Sequence, residues 1–212
     1  MGVFLNPDSK FFAFLSNLAN LIILNLLWIV CCLPVVTIVP ATSALYYVTM
    51  KIVKKEDPYI IRSFFHAFVQ NLKQGMILTV IFAALIGILY VDMQVLQSFL
   101  SGFHLVLLLA FYALCVLAAV TAAYVCPLLS RFHNTVGATL KNSLIIGLTH
   151  PIKTITVLAL DFIPIIMFLY WPNYFIATIF LWVLIGFSAI ALVNSVIFSK
   201  LFTKYEPEKI ET

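Results

Sequence analysis

Forty consecutive residues, from Phe11 to Met50, contain no Asp, Glu, Lys or Arg. A helix needs about 20 mostly apolar residues to cross about 30 Å of hydrocarbon, so this stretch has room for two crossings. Pro34 and Pro40 divide it, and proline disfavours helix in the residue before it. One interpretation is a long helix followed by a short membrane-embedded segment. We favour a hairpin over residues 11–50 with its turn near Val35 to Pro40, because two short helices satisfy their own backbone hydrogen bonds in lipid.

The rest of the chain continues this apolar character. Hydrophobic residues make up 64% of the sequence and charged residues 9%, against about 25% charged residues in soluble domains. We therefore predict one all-α integral membrane domain over residues 1–212, a polytopic bundle of five to six helices in a lipid bilayer. Its last four spans fall within residues 75–198, at about Gly75 to Val91, Phe103 to Leu129, Ile155 to Trp171 and Tyr174 to Phe198.

Basic residues alternate between connectors and predict the orientation. Segments 51–73 and 130–153 and the tail 199–212 carry Lys and Arg, whereas connector 92–102 and the turn at Trp171 to Asn173 carry none. Under the positive-inside rule the basic segments are cytoplasmic. We expect a multi-pass protein of the bacterial cell membrane with a cytoplasmic C-terminus and, given the hairpin, a cytoplasmic N-terminus. The first helix lacks a cleavage signal, so we expect it to be retained.

Segment 56–74 has a different pattern from its neighbours. Apolar residues recur at helical spacing and the charged residues lie elsewhere on the helix, which predicts an amphipathic helix at the cytoplasmic interface. The alternative is a cytoplasmic extension of the next membrane helix. In the first interpretation the apolar face is a candidate docking surface for a partner, formed by Phe64, Phe65, Phe68, Val69 and Leu72.

Asp161 lies inside a predicted span, and an ionisable group within the membrane is a functional-site hypothesis. Its candidate hydrogen-bonding companions are four asparagines within the predicted helices: Asn17, Asn20, Asn25 and Asn194. The alternative is that the helix is long and tilted and that Asp161 is merely structural. For the asparagines we favour the role of interhelical hydrogen-bonding contacts, which are worth about 0.6–2 kcal/mol each.

Neither an enzyme nor a cofactor or metal protein is predicted. The sequence has no phosphate-binding glycine loop and no nucleophile elbow, and no histidine pair has the spacing of a helix-borne metal site. The four cysteines lie in apolar stretches and are expected to be buried thiols. No basic run is dense enough to bind nucleic acid. We therefore predict no catalytic, cofactor or metal residues.

Several segments resemble the bacterial YesL family, which comprises small membrane proteins of unknown function. They are Asn25-Leu26-Leu27-Trp28, Leu33 to Ile38 with Pro40-Ala41-Thr42, Phe64 to Lys73, and Asn194 to Tyr205. Val39 departs from the pattern, since we expect the family to have glycine before this proline. The resemblance carries no catalytic or ligand residues with it.

The resemblance implies a role beside carbohydrate-uptake ABC transporters, because members tend to be encoded next to them. We expect a non-enzymatic accessory subunit that binds the permease subunits of an oligosaccharide importer. The alternative is a small secondary transporter or channel that uses Asp161 in the membrane.

Overall fold

The computed structural model describes residues 10–56, 59–98, 104–132 and 134–205. The described part is helical and contains no strand. Six stretches are long and apolar enough to cross a membrane, so the predicted multi-pass helical architecture is confirmed. The first elements are α1 (Lys10–Cys32), a 3₁₀ turn (Val35–Thr37), α2 (Ile38–Val53) and α3 (Ile60–Ser98). They are followed by α4 (His104–Arg131), α5 (Val136–Thr149), α6 (Pro151–Tyr170), α7 (Pro172–Leu181), a π-helical turn (Trp182–Gly186) and α8 (Phe187–Phe202).

The predicted proline-turned hairpin is present between α1 and α2. Helix α1 ends just before Pro34, and Pro40 lies in the first turn of α2, where its missing N–H costs no helical hydrogen bond. The hydroxyl of Thr37 donates to the carbonyls of Cys31 and Pro34, each at 2.6 Å. The first of these bonds occupies the Cys31 carbonyl, one of the last carbonyls of α1, which have no partner within the helix.

Helix α2 is the central element of the bundle. It is the most buried of the six candidate spans, and its small residues Ala41, Ser43 and Ala44 are completely enclosed. The main core forms around it, with the side chains of Leu24, Phe64, Tyr124 and Phe198 fully buried. Helix α2 has only 16 residues, which is about 24 Å of helix.

Helix α3 is the longest element and resolves the two interpretations of segment 56–74. It runs without a break over 39 residues, about 58 Å at 1.5 Å per residue, so its first part is an extension of the next membrane helix. Residues 57 and 58 lie outside the described residues, as do residues 206–212 of the predicted tail.

The first half of α3 lies antiparallel against α2. The amide of Asn71 is 3.5 Å from the Ser43 hydroxyl, and the backbone N–H of Val39 donates to Thr79 Oγ1 at 3.3 Å. Between these contacts Gly75 faces Pro40, so closely that an added Cβ would lie 2.7 Å from the proline Cδ. The absence of a side chain at Gly75 is therefore what lets the two helices approach.

Prolines also define the corners around α6. Pro151 and Pro172 begin α6 and α7 at the first helical position, where proline is favoured. Helix α7, the π-helical turn and α8 follow one another directly, so residues 172–202 form one continuous rod. The predicted spans at 155–171 and 174–198 thus correspond to α6 and to this rod.

Candidate functional site

Asp161 and Asn194 meet between α6 and α8. The Asn194 side-chain amide donates to Asp161 Oδ1 at 2.8 Å and lies 3.4 Å from the hydroxyl of Tyr46 on α2. Three helices therefore converge on one polar group inside the bundle. Next to it, the hydroxyls of Thr49 and Ser195 are 2.7 Å apart and form a second polar link between α2 and α8.

Asn194 is not fully satisfied by these contacts. Its side chain has no exposed surface, and its Oδ1 atom is buried without a hydrogen-bond partner among the described residues. A buried polar atom without a partner costs about 1–3 kcal/mol. The Asn194 amide contacts Asp161 and Tyr46, and both of these residues line a pocket. Polar contacts as well as packing therefore fix its position.

Asp161 lines pockets on both of its sides. One pocket of about 220 Å³ lies among α1, α2, α6 and α8, and includes Trp28, Thr42, Tyr46 and Phe187. The other, of about 260 Å³, lies between α4 and α6 and is lined by Ala119, Ala122 and Ala123 together with apolar residues of α6. The carboxylate is thus the polar group shared by two mostly apolar spaces.

Asn25 forms its hydrogen bonds with backbone groups between residues 182 and 188 rather than with Asp161. Its Nδ2 donates to the carbonyls of Trp182 at 3.1 Å and Val183 at 2.6 Å, and its Oδ1 accepts from the Ser188 N–H at 2.8 Å. A π-helical turn shifts the helical hydrogen-bond register and leaves backbone carbonyl and N–H groups without a partner in the helix. The Asn25 side chain bonds to these groups, so it links α1 to the π-helical turn.

The two remaining asparagines do not reach Asp161 either. Asn17 is exposed, and Asn20 lines a groove of about 540 Å³ together with Ile23 and residues 59–62 at the start of α3. Of the predicted polar set, the structure therefore brings together only Asp161 and Asn194.

The residues that sequence reasoning missed are Tyr46, Trp28 and Thr42. Aromatic and hydroxyl residues are common in membrane helices, and nothing in their spacing distinguishes these three. The nearest signal is the run of small residues in α2, since small residues mark helices that neighbours approach closely.

The predicted docking face on segment 56–74 needs a correction. Phe64 is fully buried in the core and stacks on Phe68 with ring centroids 6.2 Å apart, so Phe64 is not available to a partner. Phe65 and Val69 are exposed by 43% and 66%, and Ile61 one turn earlier by 55%. The exposed apolar stripe is thus formed by Ile61, Phe65 and Val69, with Phe68 and Leu72 half-buried beside it.

No group of three or more potential metal ligands occurs in the part of the chain that the structure describes. A family model described as "Protein of unknown function, DUF624" matches residues 21–93. The match includes Trp28, Tyr46 and the exposed apolar stripe but ends before Asp161 and Asn194. No curated protein and no solved structure matches the chain.

Proposed function

We propose that this chain is a non-enzymatic accessory subunit that binds the permease subunits of a carbohydrate ABC importer. The resemblance to the YesL family supports this proposal, and the match of residues 21–93 to a family of unknown function is compatible with it. In this proposal the basic ends of α2, α4 and α8 face the cytoplasm of a bacterial cell, as do both termini.

The observation that carries the proposal is the exposed apolar stripe of Ile61, Phe65 and Val69. It lies on the part of α3 that also carries exposed Arg62 and Lys73, which places it at the basic end of the bundle. Three large apolar side chains separated by one turn each form a continuous face on a helix. An apolar helix face with acidic neighbours on a permease subunit is the surface that complements it.

The experiment is a mild-detergent pull-down of tagged protein from native membranes, with mass spectrometry of what remains bound. We expect permease subunits at near-equal stoichiometry with the wild type. The double variant Phe65→Ala/Val69→Ala should lower that recovery at least about tenfold, the effect of about 1.4 kcal/mol.

The matched control is Ile86→Ala/Tyr90→Ala, which removes two exposed apolar side chains at the same spacing on the same helix. This variant should retain the permeases. Recovery of the chain without permease subunits while the importer is expressed would contradict the proposal. So would an equal loss in both double variants.

The pair of Asp161 and Asn194 favours a second candidate, a small secondary transporter or channel. Asp161 is an ionisable residue in a membrane helix and borders two pockets, and residues of this kind mark ion and substrate pathways in transporters. In a transporter, Asp161→Asn should abolish flux into proteoliposomes. In an accessory subunit, the same substitution should leave importer activity nearly unchanged.

A further inference from the structure

The carboxylate of Asp161 has no basic partner among the residues that the structure describes. Among the described residues, it has no basic side chain within 4.0 Å, and its only hydrogen bond comes from the Asn194 amide to Oδ1. Charges inside membrane helices pair with one another or mark sites that bind a ligand or an ion. The second oxygen, Oδ2, has no hydrogen-bond partner among the described residues, and Asp161 lines two pockets in which an exogenous group could reach it.

Three aromatic side chains line one of the two pockets that this carboxylate faces. The pocket of about 220 Å³ is lined by Trp28, Tyr46 and Phe187 as well as Asp161. The rings of Trp28 and Phe187 pack against each other, with centroids 4.7 Å apart, and together form one wall of the pocket. The indole N–H of Trp28 donates to Thr42 at 3.1 Å. That hydrogen bond fixes the indole at the pocket wall.

One carboxylate beside aromatic rings favours an organic cation over a metal ion. Metal cations such as Ca²⁺ or Mg²⁺ require about six to eight oxygen ligands, whereas this pocket offers one carboxylate and the hydroxyls of Tyr46 and Thr42. Organic ammonium groups are instead recognised by aromatic faces, with a carboxylate as counter-charge. A cavity of about 150 Å³ is known to hold benzene, so this pocket has room for a group slightly larger than that.

The second pocket gives the carboxylate another open side. Its α4 wall consists of Ala119, Ala122 and Ala123, and these short side chains leave a gap beside Asp161 between α4 and α6. The charged group can therefore be approached from this side without disturbing the aromatic wall.

We propose that the pocket among α1, α2, α6 and α8 binds a small organic ammonium ion, with Asp161 as its counter-charge and the rings of Trp28, Tyr46 and Phe187 in the wall that the cationic group contacts. Asn194 is a positioning residue that holds the carboxylate. The proposal concerns occupancy of the site and is independent of both the permease partner and transport.

The test is equilibrium binding of radiolabelled choline to the protein purified in a maltoside detergent. The neutral competitor is 3,3-dimethylbutan-1-ol, which has the shape of choline without its charge. We expect saturable choline binding that the neutral alcohol displaces at least about tenfold less well than unlabelled choline.

Variants assign the binding to this pocket. Asp161→Asn should weaken choline binding at least tenfold, and Trp28→Leu about 3- to 30-fold, the range that one cation–π contact supports. Asp92→Asn, which neutralises an exposed carboxylate of α3, should bind like the wild type.

If Asp161→Asn does not give a monodisperse protein, Phe187→Leu keeps the carboxylate and tests the aromatic wall instead, with the expectation of weaker binding. The proposal is overturned by the absence of saturable binding or by equal binding in the pocket variants and the wild type. Equal competition by the neutral alcohol would also overturn it, because the pocket would then recognise only apolar shape.

Discussion

Asn25 is a polar side chain whose hydrogen bonds to the described residues are all with backbone groups. It forms three hydrogen bonds to the π-helical turn and to the first residues of α8. In a low-dielectric interior, the carbonyls of Trp182 and Val183 have no water to replace the amide.

We expect Asn25→Leu to lower the free energy of unfolding by about 1–3 kcal/mol. The measurement is thermal or SDS-induced unfolding in detergent. Asn17→Leu is the control on the same helix, and it should have little effect because Asn17 is exposed. Equal stability of the Asn25→Leu variant and the wild type would show that the π-helical turn does not depend on this amide.

Gly75 offers a second prediction for a single residue. In Gly75→Ala the new methyl group would lie 2.7–2.9 Å from Pro40, including its backbone nitrogen, so α2 and α3 must move apart. Overpacking of this kind costs about 1–3 kcal/mol, which we expect to see as a lower midpoint of thermal unfolding.

Gly87→Ala is the matched control for Gly75→Ala. Gly87 lies on the same helix with nothing within 4 Å of an added Cβ, and alanine is the better helix former by about 0.8–1.0 kcal/mol. This variant should be neutral or slightly stabilised. A larger loss of stability at Gly87 than at Gly75 would contradict the close packing of α2 on α3.

At the scale of elements, the first part of α3 has two faces with opposite roles. Phe64 points into the core and Phe65 points out of it. Phe64→Ala should therefore cost about 3–5 kcal/mol of unfolding free energy, while Phe65→Ala should change it by less than about 0.5 kcal/mol. Parallel unfolding curves of the two variants check this difference, and similar losses in both would argue against the packing of α3 on α2.

The helical stretches could be predicted from the sequence. The ends of the helices, and the helix faces that are buried, could be predicted less well. Apolar length alone indicates a membrane span, so the hairpin and the later spans were predicted close to their observed positions. Segment 56–74 has an apolar stripe on its helix, but periodicity does not reveal whether that stripe meets lipid, a partner or the chain itself. Phe64 was therefore placed on a docking surface although it belongs to the core.

The candidate site was predictable only in part for a similar reason. Asp161 is conspicuous because charge is rare in these helices, and Asn194 was among the few amides able to reach it. Asn25 was assigned to the same group, but its true partners are carbonyls freed by a π-helical turn. That turn has no marker in the sequence, so its need for an amide could not be foreseen.

At the scale of the whole molecule, the arrangement predicts that the segments before and after α6 lie on opposite faces of the membrane. In a background with Cys31, Cys32, Cys115 and Cys126 replaced by alanine, single cysteines at Lys141 and Asn173 report opposite faces, since both side chains are exposed. We expect an impermeant thiol reagent added to intact cells to label Asn173→Cys but not Lys141→Cys. The reverse pattern would invert the orientation inferred from the basic residues.

The central position of α2 also has a consequence for how the protein is made. Helix α2 is the least apolar of the six candidate spans, yet the ribosome delivers it before α3, α4 and α8, which cover it. Thr49 gains its partner Ser195 only after a further 146 residues have been synthesised. The most buried span is thus made before most of the helices that bury it, and a chain that stops before Asn194 exposes an unfinished interior to the proteases that remove incomplete membrane proteins.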